Sequence, residues 1–189
     1  NATAVQSNAI SYTTGNATIR GNKLNTTSTN ANALGLTSLI QGTTVLENTL
    51  LTSATGGMGL SSTSLQITQS NDLLIRGNTI KALGSSNDAF TLDTVNNSLV
   101  DNNTIETSST GGFNAALSLT SITANNVFVN NNITAPSGGN EIKDSFGMGD
   151  DTTYYNYLIY NNSWGEIAWQ NNGTGGFLRT LTISVRNIG

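Results

Sequence analysis

Ionisable side chains are scarce in this chain, so the search for chemistry begins with the few that it contains. The 189 residues include 11 Asp and Glu, 7 Lys and Arg, no His and no Cys. Without imidazole or thiol groups, the sequence excludes a Ser-His or Cys-His nucleophile pair, a thiolate zinc site and a histidine pH switch. Acid–base chemistry or metal binding would therefore have to rest on carboxylates.

The densest group of carboxylates lies in the last third of the chain and consists of Glu141, Asp144, Asp150 and Asp151. Carboxylates combined with asparagine and backbone carbonyl oxygens suit Ca²⁺. The spacing matches no EF-hand loop, and a solvated acidic loop is the alternative interpretation. We expect no cofactor in general, with Ca²⁺ as the one candidate ion.

Charge and hydropathy limit the partners of the chain. The net charge is −4 and the sequence pI is about 4.5, which is the opposite of the basic footprint that nucleic acids and anionic membranes attract. No apolar run is long enough for a membrane span, which needs roughly 18 residues, and the chain opens at Asn1 without a secretory leader. We therefore expect no nucleic acid, no membrane insertion and no uncleaved signal peptide.

Aromatic residues are concentrated towards the end of the sequence. Of 12 Phe, Trp and Tyr residues, seven lie in the last 36 positions. If exposed, they would form a platform for sugar stacking or a protein interface; if buried, they would fill a wide terminal coil. The candidate ligand-binding residues are Tyr157, Tyr160, Trp164 and Trp169.

A six-residue phrase recurs through the chain and must position all of these groups. It reads apolar, any, any, Asn, any, apolar. Its copies recur at intervals of roughly 25 to 31 residues, which is the period of stacked supersecondary repeats. The asparagines of the six copies are Asn22, Asn48, Asn78, Asn103, Asn131 and Asn162.

Short apolar alternations lie between these copies. They predict three short strands and three corners in each repeat, because period-2 alternation marks a strand with one inward face. The alternating pairs are Ile10/Tyr12, Leu34/Leu36, Met58/Leu60, Phe90/Leu92, Leu117/Leu119, Phe146/Met148 and Ile167/Trp169. We therefore predict an all-β parallel solenoid of about seven coils, formed by residues 1–189 as one domain.

The phrase has a structural explanation in such a solenoid. Its two apolar ends would point inward from consecutive strands, and its Asn would occupy the bend in the left-handed conformation that Asn tolerates. Asparagines stacked from coil to coil can also hydrogen-bond to one another through their side-chain amides. The sequence thus predicts an asparagine ladder along one corner. It also predicts that Arg76 and Asp101 are ladder neighbours.

These features resemble the right-handed parallel β-helix repeats of the pectin-lyase-like superfamily, whose asparagine-bearing bend the six ladder residues match. The resemblance covers nearly the whole chain, and the handedness follows from the resemblance alone. The superfamily contains lyases, hydrolases, phage tailspikes, adhesins and surface proteins without known catalysis. The resemblance therefore predicts the fold and leaves the activity open.

In the enzymes of that superfamily, the resemblance implies, catalytic groups lie on the strand after the variable corner. The longest insertions of this chain fall at one corner, between the phrase and the alternating pair, and such an edge is often a binding side. Asp93 is the one ionisable residue on the outward face of that strand. A glycosidase needs two carboxylates, and a β-eliminating lyase needs a base and a cation. The sequence therefore favours a protein that is not an enzyme, with Asp93 as its single catalytic candidate.

The two ends of the sequence suggest assembly. Neither end shows an amphipathic capping helix, and residues 177–188 contain a clean alternation that predicts a final strand, either a cap or a strand given to another molecule. Uncapped solenoids can stack end to end into fibres. We therefore predict that copies of this chain associate end to end.

The favoured function is a secreted or surface-displayed structural β-helix, from a cell or a virus, acting as a fibre or filament subunit or an adhesin stalk. Two alternatives remain open: a polysaccharide lyase, hydrolase or tailspike-like depolymerase, and a carbohydrate-binding module. An ice-binding rod is disfavoured because no strand face carries a regular Thr-X-Thr array. Glycans are candidate attachments as well as ligands, because Asn-X-Ser/Thr sequons occur at Asn1, Asn16, Asn25, Asn96, Asn102, Asn132, Asn161 and Asn172.

Overall fold

The structure, a computed structural model, describes most of the chain up to Pro136. It covers residues 8–13, 15–38, 42–53, 62–84, 87–109, 114–121, 123 and 125–136, together with the backbones of three later strands at 140–145, 157–160 and 167–170. None of these residues is helical, so within this part of the chain no helix is long and apolar enough to cross a membrane.

The strands, numbered in chain order, form three parallel sheets. Sheet 1 contains β1 (Ile10–Tyr12), β4 (Leu34–Thr37), β7 (Thr63–Asn71), β10 (Asp88–Asn96), β13 (Ala115–Thr120), β16 (Asn140–Ser145) and β18 (Ile167–Gln170). Sheet 2 contains β2 (Thr18–Arg20), β5 (Thr44–Leu46), β8 (Leu74–Arg76), β11 (Leu99–Asp101), β14 (Asn126–Val129) and β17 (Tyr157–Tyr160). Sheet 3 contains β3 (Lys23–Thr26), β6 (Thr49–Thr52), β9 (Thr79–Ala82), β12 (Thr104–Thr107) and β15 (Asn132–Thr134).

The order of the strands defines a parallel β-solenoid, as predicted. From β1 to β15 the chain visits sheets 1, 2 and 3 in turn, and each strand pairs in parallel with the equivalent strands of the adjacent described turns. Residues at equivalent positions therefore stand one strand spacing apart along the axis, at about 4.8 Å. Side chains at the same position of successive repeats therefore form a row along the solenoid axis.

The interior is built from the apolar ends of the phrase and from two apolar residues of sheet 1. In the turn that begins with β10, these are Phe90 and Leu92 of sheet 1, Val100 of sheet 2 and Ile105 of sheet 3, and none of them is exposed to solvent. Their equivalents in the neighbouring turns are buried in the same way. The prediction that both ends of the phrase point inward is confirmed for these turns.

The predicted number of seven coils is too high. A complete buried interior extends over about four turns, from β4 to β15. In the turn before them, Tyr12, Ile19 and Leu24 are only partly buried, because they pack against core on one side. After Pro136 the structure describes isolated strands of sheets 1 and 2 without their side chains. The predicted value of seven follows from counting each of the seven alternating pairs as a closed coil.

In two turns, residues other than the predicted alternating pair stand in register in sheet 1. Leu65 and Ile67, not Met58 and Leu60, are in register with Leu34 and Leu36, and Ile142 begins the corresponding pair in β16. Met58, Leu60, Phe146 and Met148 lie outside the described residues. Long insertions contain apolar alternations of their own, and a pair of apolar residues is too short a pattern to distinguish a strand from the insertion beside it.

The corners differ in length as the sequence predicted. The connection from sheet 2 to sheet 3 is two residues long in each of the five turns described there, whereas the connection from sheet 3 to sheet 1 ranges from five residues (83–87) to ten (53–62). The short corner is constrained by its hydrogen bonds, and the long one tolerates insertion because longer loops add little closure entropy.

The left-handed residue of the short corner is not the ladder asparagine, contrary to the prediction. Positive φ angles occur one position earlier, because the asparagine itself must turn its side chain towards the neighbouring turns. These residues are Gly21 (φ 67°), Glu47 (φ 55°), Gly77 (φ 68°), Asn102 (φ 54°) and Asn130 (φ 56°). Glycine at two of the five positions was the sequence signal for this bend.

A second row of left-handed residues bends the chain at the end of sheet 1. It contains Ser38, Gln69, Thr94 and Ser121, with φ angles of 62°, 51°, 56° and 54°. Thr94 is the most unfavourable of them, since a β-branched residue with positive φ is an outlier. This bend lies next to Asp93, so the candidate catalytic residue stands beside strained backbone.

Replacing Thr94 by Gly should therefore stabilise the protein. A left-handed non-glycine residue costs about 1–2 kcal/mol, and the greater freedom of Gly in the unfolded chain offsets about 0.5–1 kcal/mol of the relief. We expect Thr94→Gly to raise the free energy of unfolding in urea by about 0.5–1 kcal/mol. Thr104→Gly, in an ordinary strand, is the control and should lower it. A loss of stability in Thr94→Gly would contradict the assigned conformation.

Candidate functional site

The asparagine ladder occupies the two-residue corner between sheets 2 and 3, where the side chains turn inward. Asn78 shows the arrangement. Its Oδ1 accepts hydrogen bonds from the backbone N–H of Asn48 at 2.9 Å and from Nδ2 of Asn48 at 3.0 Å, both in the preceding turn. Its Nδ2 donates to Asn103 Oδ1 in the following turn at 2.9 Å and to the carbonyl oxygen of Val45 at 2.9 Å. One side chain thus joins three turns.

The same bonds recur at the other described ladder positions. Asn48, Asn78, Asn103 and Asn131 are each 1–2% exposed, and the oxygen of each accepts two hydrogen bonds from the asparagine of the turn before. Buried amides of this kind are costly to leave unpaired, so the ladder selects one register. The predicted ladder role is supported for Asn22, Asn48, Asn78, Asn103 and Asn131, while Asn162 lies outside the described residues.

A second set of buried polar side chains joins the turns at the corner between sheets 1 and 2, and sequence reasoning missed it. The hydroxyl of Ser98 accepts from the backbone N–H of Leu73 at 3.1 Å, and Asn126 Oδ1 accepts from the N–H of Ser98 at 2.9 Å. The hydroxyl of Thr43 accepts from Ala17 N–H at 3.2 Å in the same way. A polar residue two positions before the phrase was the available signal.

A third set lies at the start of sheet 1. Asn8, Asn32 and Asp88 each accept a hydrogen bond from a backbone N–H of the next turn through a side-chain oxygen, at 2.8, 3.1 and 2.7 Å respectively. Asp88 therefore serves as a backbone acceptor, as the two asparagines do in earlier turns. All three corners of the described solenoid are joined by side chains as well as by strand pairing.

Asp93, the catalytic candidate, lies on the outer face of sheet 1. It is in register with Thr68 on one side and Thr120 on the other, and its Oδ1 accepts a hydrogen bond from the hydroxyl of Thr94 at 3.0 Å. The residue is partly exposed. Threonines thus flank it along the axis, so the described neighbours supply neither a second carboxylate nor a cation for the chemistry of a hydrolase or a lyase.

The structure brings together none of the predicted metal ligands within its described side chains. Glu141 and Asp144 lie on β16, where only the backbone is described and Asp144 is in register with Leu119. Asp150 and Asp151 lie outside the described residues. No three acidic side chains converge in the part of the chain whose side chains can be placed. The Ca²⁺ site stays a prediction.

The predicted aromatic platform cannot be assembled from described side chains either. Tyr157 and Tyr160 lie on β17, in register with Asn126 and Val129, and Trp169 lies on β18, in register with Asp144. Trp164 falls outside the described residues. The backbone therefore places Tyr157 and Tyr160 in sheet 2 and Trp169 in sheet 1.

Exposed ion pairs link successive turns on the outside of the solenoid. Arg76 Nε lies 2.8 Å from Asp101 Oδ2, as the sequence predicted, and Arg20 Nε lies 2.9 Å from Glu47 Oε2. The hydrogen bonds to Glu47 and the charge of that carboxylate raise the pKa of Arg20 above its ordinary value. Solvent screens exposed pairs of this kind, so they favour the register more than they stabilise the fold.

The outer face of sheet 2 carries apolar residues beside the charged Arg76 and Asp101. Its outward residues in β5, β8, β11 and β14 include Leu46, Leu74, Leu99, Val127 and Val129, which we call the outer stripe. Leu74, Leu99 and Val127 are consecutive along the axis and partly exposed, as is Leu46, whereas Val129 is buried. Neighbouring apolar residues on the same strand face inward, which concealed this stripe in the sequence.

Comparison with known proteins adds no relative to these findings. No family model, no curated protein and no solved structure matches the chain. The assignment of the chain as an all-β parallel β-solenoid with a buried asparagine ladder rests on the sheet topology and on the hydrogen bonds described above.

Proposed function

We propose that this protein is a structural β-solenoid of the extracellular space or of a cell or virus surface, acting as a filament subunit or an adhesin stalk. We further propose that its repeats belong to the pectin-lyase-like type of right-handed parallel β-helix. The support for this membership is the match of the phrase and its ladder to that repeat.

The proposal rests on the hydrogen bonds that buried polar side chains make from one turn to the next. At each corner of the described solenoid, side-chain oxygens accept backbone N–H groups of an adjacent turn. Such bonds contribute nothing to the binding of a soluble ligand, but they oppose the separation of one turn from the next. Two of them at each ladder step, together with three parallel strands, suit a rod that must keep its length under load.

Assembly into filaments is the second part of the proposal. A turn of the solenoid offers three strand edges with which a further parallel turn can pair, and the ladder asparagine offers the same bonds to whatever turn follows it. Repetition of one turn-to-turn contact between chains does not close into a ring, so it produces a fibre. Copies of this chain end to end are therefore the proposed partners.

A polysaccharide-acting enzyme is the alternative that Asp93 supports. The residue is partly exposed on the sheet that follows the variable corner, and a surface row of threonines on either side could hydrogen-bond a sugar. A carbohydrate-binding module based on Tyr157, Tyr160, Trp164 and Trp169 is the third proposal, with glycans as ligands.

Electron microscopy and sedimentation velocity over a wide range of protein concentration test the leading proposal. We expect rods that lengthen as the concentration rises, because each added chain makes the same axial contact. A chain that stays strictly monomeric at every concentration would contradict the filament. In parallel, release of reducing or unsaturated ends from acidic polysaccharides by the wild-type chain, and its loss in Asp93→Asn, would establish the enzyme instead. Binding on a glycan array that Trp164→Ala and Trp169→Ala abolish would favour the third proposal.

A further inference from the structure

We propose that Asn132 is a site of N-linked glycosylation, with an oligosaccharide attached to its side-chain amide. The inference rests on the proposed extracellular location of the protein, because Asn-X-Ser/Thr sequons receive glycans in secreted chains. Five of the eight sequons begin at residues that the structure describes, namely Asn16, Asn25, Asn96, Asn102 and Asn132. Burial and hydrogen bonding distinguish the last of these from the other four.

Two of the described sequons are closed by the fold. The side-chain oxygen of Asn25 is buried, so the folded chain leaves little room for a sugar on the nitrogen of the same amide. In the sequon of Asn96, Ser98 is only 2% exposed. Its hydroxyl accepts a hydrogen bond from the N–H of Leu73 at 3.1 Å and donates one to the carbonyl oxygen of Asn96 at 2.9 Å. Both sequons are therefore part of the packed structure.

Two further sequons begin at exposed residues but are held by neighbouring turns. In the sequon of Asn16, the hydroxyl of Thr18 accepts a hydrogen bond from the hydroxyl of Thr44 at 3.1 Å. Asn102 occupies the left-handed bend of the short corner, with a φ angle of 54°. The middle residue of its sequon is the ladder residue Asn103, which is bonded to the following turn. The backbone of this sequon cannot move without disturbing the ladder.

Asn132 differs because both functional side chains of its sequon are open to solvent. Asn132 and Thr134 are exposed on β15, whereas Ile133 between them is buried. Side chains two positions apart project from the same face of a strand, so the amide and the hydroxyl share the outer face of sheet 3. Within the part of the chain that the structure describes, neither side chain forms a hydrogen bond. This sequon therefore offers both of its groups to an enzyme and room for the product.

The reaction joins the side-chain nitrogen of Asn132 to the first sugar of a lipid-linked oligosaccharide. A bond forms between Nδ2 and C1 of that sugar, while the bond from C1 to the lipid pyrophosphate breaks. The pyrophosphate leaves with the bonding electrons, and one proton of the amide passes to a base of the transferring enzyme. The product is a substituted amide that carries a bulky, hydrated group on the surface of the protein.

The surface around Asn132 is compatible with such a group. Asn132 is in register with Thr104 of the preceding turn, and Thr134 is in register with Glu106. Glu106 forms an exposed ion pair with Lys81 at 2.6 Å. A glycan would therefore lie over polar, hydrated side chains. It would project sideways from sheet 3 and leave the strand edges free for the proposed association along the axis.

Secretion of the chain from a eukaryotic host that attaches N-glycans tests the site. Enzymatic removal of the glycans in heavy-oxygen water converts each occupied asparagine into labelled aspartate, which peptide mass spectrometry quantifies at every sequon. In the folded, secreted chain we expect the occupancy of Asn132 to exceed that of Asn25 and of Asn96 by at least about tenfold. Equal occupancy of the three residues, or an unmodified Asn132, would overturn the inference.

Thr134→Ala is the control, since it removes the sequon and keeps the asparagine. We expect it to abolish the glycan at position 132 and to leave the melting temperature of the unmodified chain within a few degrees of the wild type. A glycan that persists in this variant would contradict the assigned sequon. A glycosylated wild-type chain that melts well below the enzymatically deglycosylated one would show that the site is not open in the folded protein.

The site and the proposed function fail separately. Filaments formed by a secreted chain that is unmodified at Asn132 would retain the structural role and reject the glycan. A glycan at Asn132 on a chain that stays monomeric would retain the site and reject the filament. Absence of both would reject both.

Discussion

Replacing Asn78 by Ala should lower the free energy of unfolding by about 3–5 kcal/mol, because the change removes hydrogen bonds from buried groups in the preceding and the following turn. The backbone N–H of Asn48 loses its acceptor, the carbonyl oxygen of Val45 loses a donor, and the oxygen of Asn103 loses one of its two hydrogen bonds. Each buried group left unsatisfied costs about 1–3 kcal/mol. Urea denaturation followed by circular dichroism measures the loss.

Asn132→Ala is the matched control for this change. Asn132 is an asparagine directly after a ladder residue, at the start of β15, but its side chain is exposed. Its replacement should therefore change the stability by no more than about 0.5 kcal/mol. Equal effects of the two substitutions would mean that the ladder does not hold the turns together. A lower stability of Asn78→Ala without any change in ligand binding or assembly at low temperature would assign the residue a purely structural role.

The ladder and the inward ends of the phrase could be predicted because both depend on local residue types at fixed spacing. A two-residue corner leaves no freedom to shift one end of the phrase against the other, so Ile75 and Ile80 must both face inward when Asn78 turns the chain. The ladder bonds then follow from stacking one copy of the phrase on the next. The identity of the left-handed residue was missed, although Gly21 and Gly77 indicated it.

The residues that form sheet 1 could not be predicted equally well, because no corner of constant length precedes them and fixes their register. The corner from sheet 3 varies from five to ten residues, and apolar pairs inside an insertion resemble the pairs of the strand itself. Met58 and Leu60 satisfied the alternation as well as Leu65 and Ile67 did. The register with Leu34 and Leu36, which selected the second pair, is a tertiary property.

The candidate sites also differ in how far the sequence predicts them. Asp93 could be placed on an outward face from alternation alone, whereas its threonine neighbours come from the turns before and after it. The outer stripe could not be predicted from the sequence, because Leu99 and Val100 are adjacent and both apolar. Hydrophobicity alone cannot distinguish the residue that fills the core from the one that faces away from it, because two adjacent apolar residues interrupt the alternation that marks the inward face.

Replacing Val100 by Asp should consequently unfold the protein or lower its stability by about 4 kcal/mol or more, since the change buries an unpaired carboxylate. Val100 is completely buried between Ile75 and Phe128 of the adjacent turns. Among the described residues of sheet 2, the cations lie on the outer face, so none of them could pair with the new carboxylate.

The same substitution one residue earlier, Leu99→Asp, should cost no more than about 1 kcal/mol, because an outward carboxylate stays hydrated. Urea denaturation of both variants measures the difference, and circular dichroism at low temperature shows whether each still folds. Equal losses would mean that Leu99 is covered within the single chain, and its outward orientation would then be wrong. A large loss confined to Val100→Asp would confirm that Val100 fills the core and that Leu99, its apolar neighbour in β11, faces away from it.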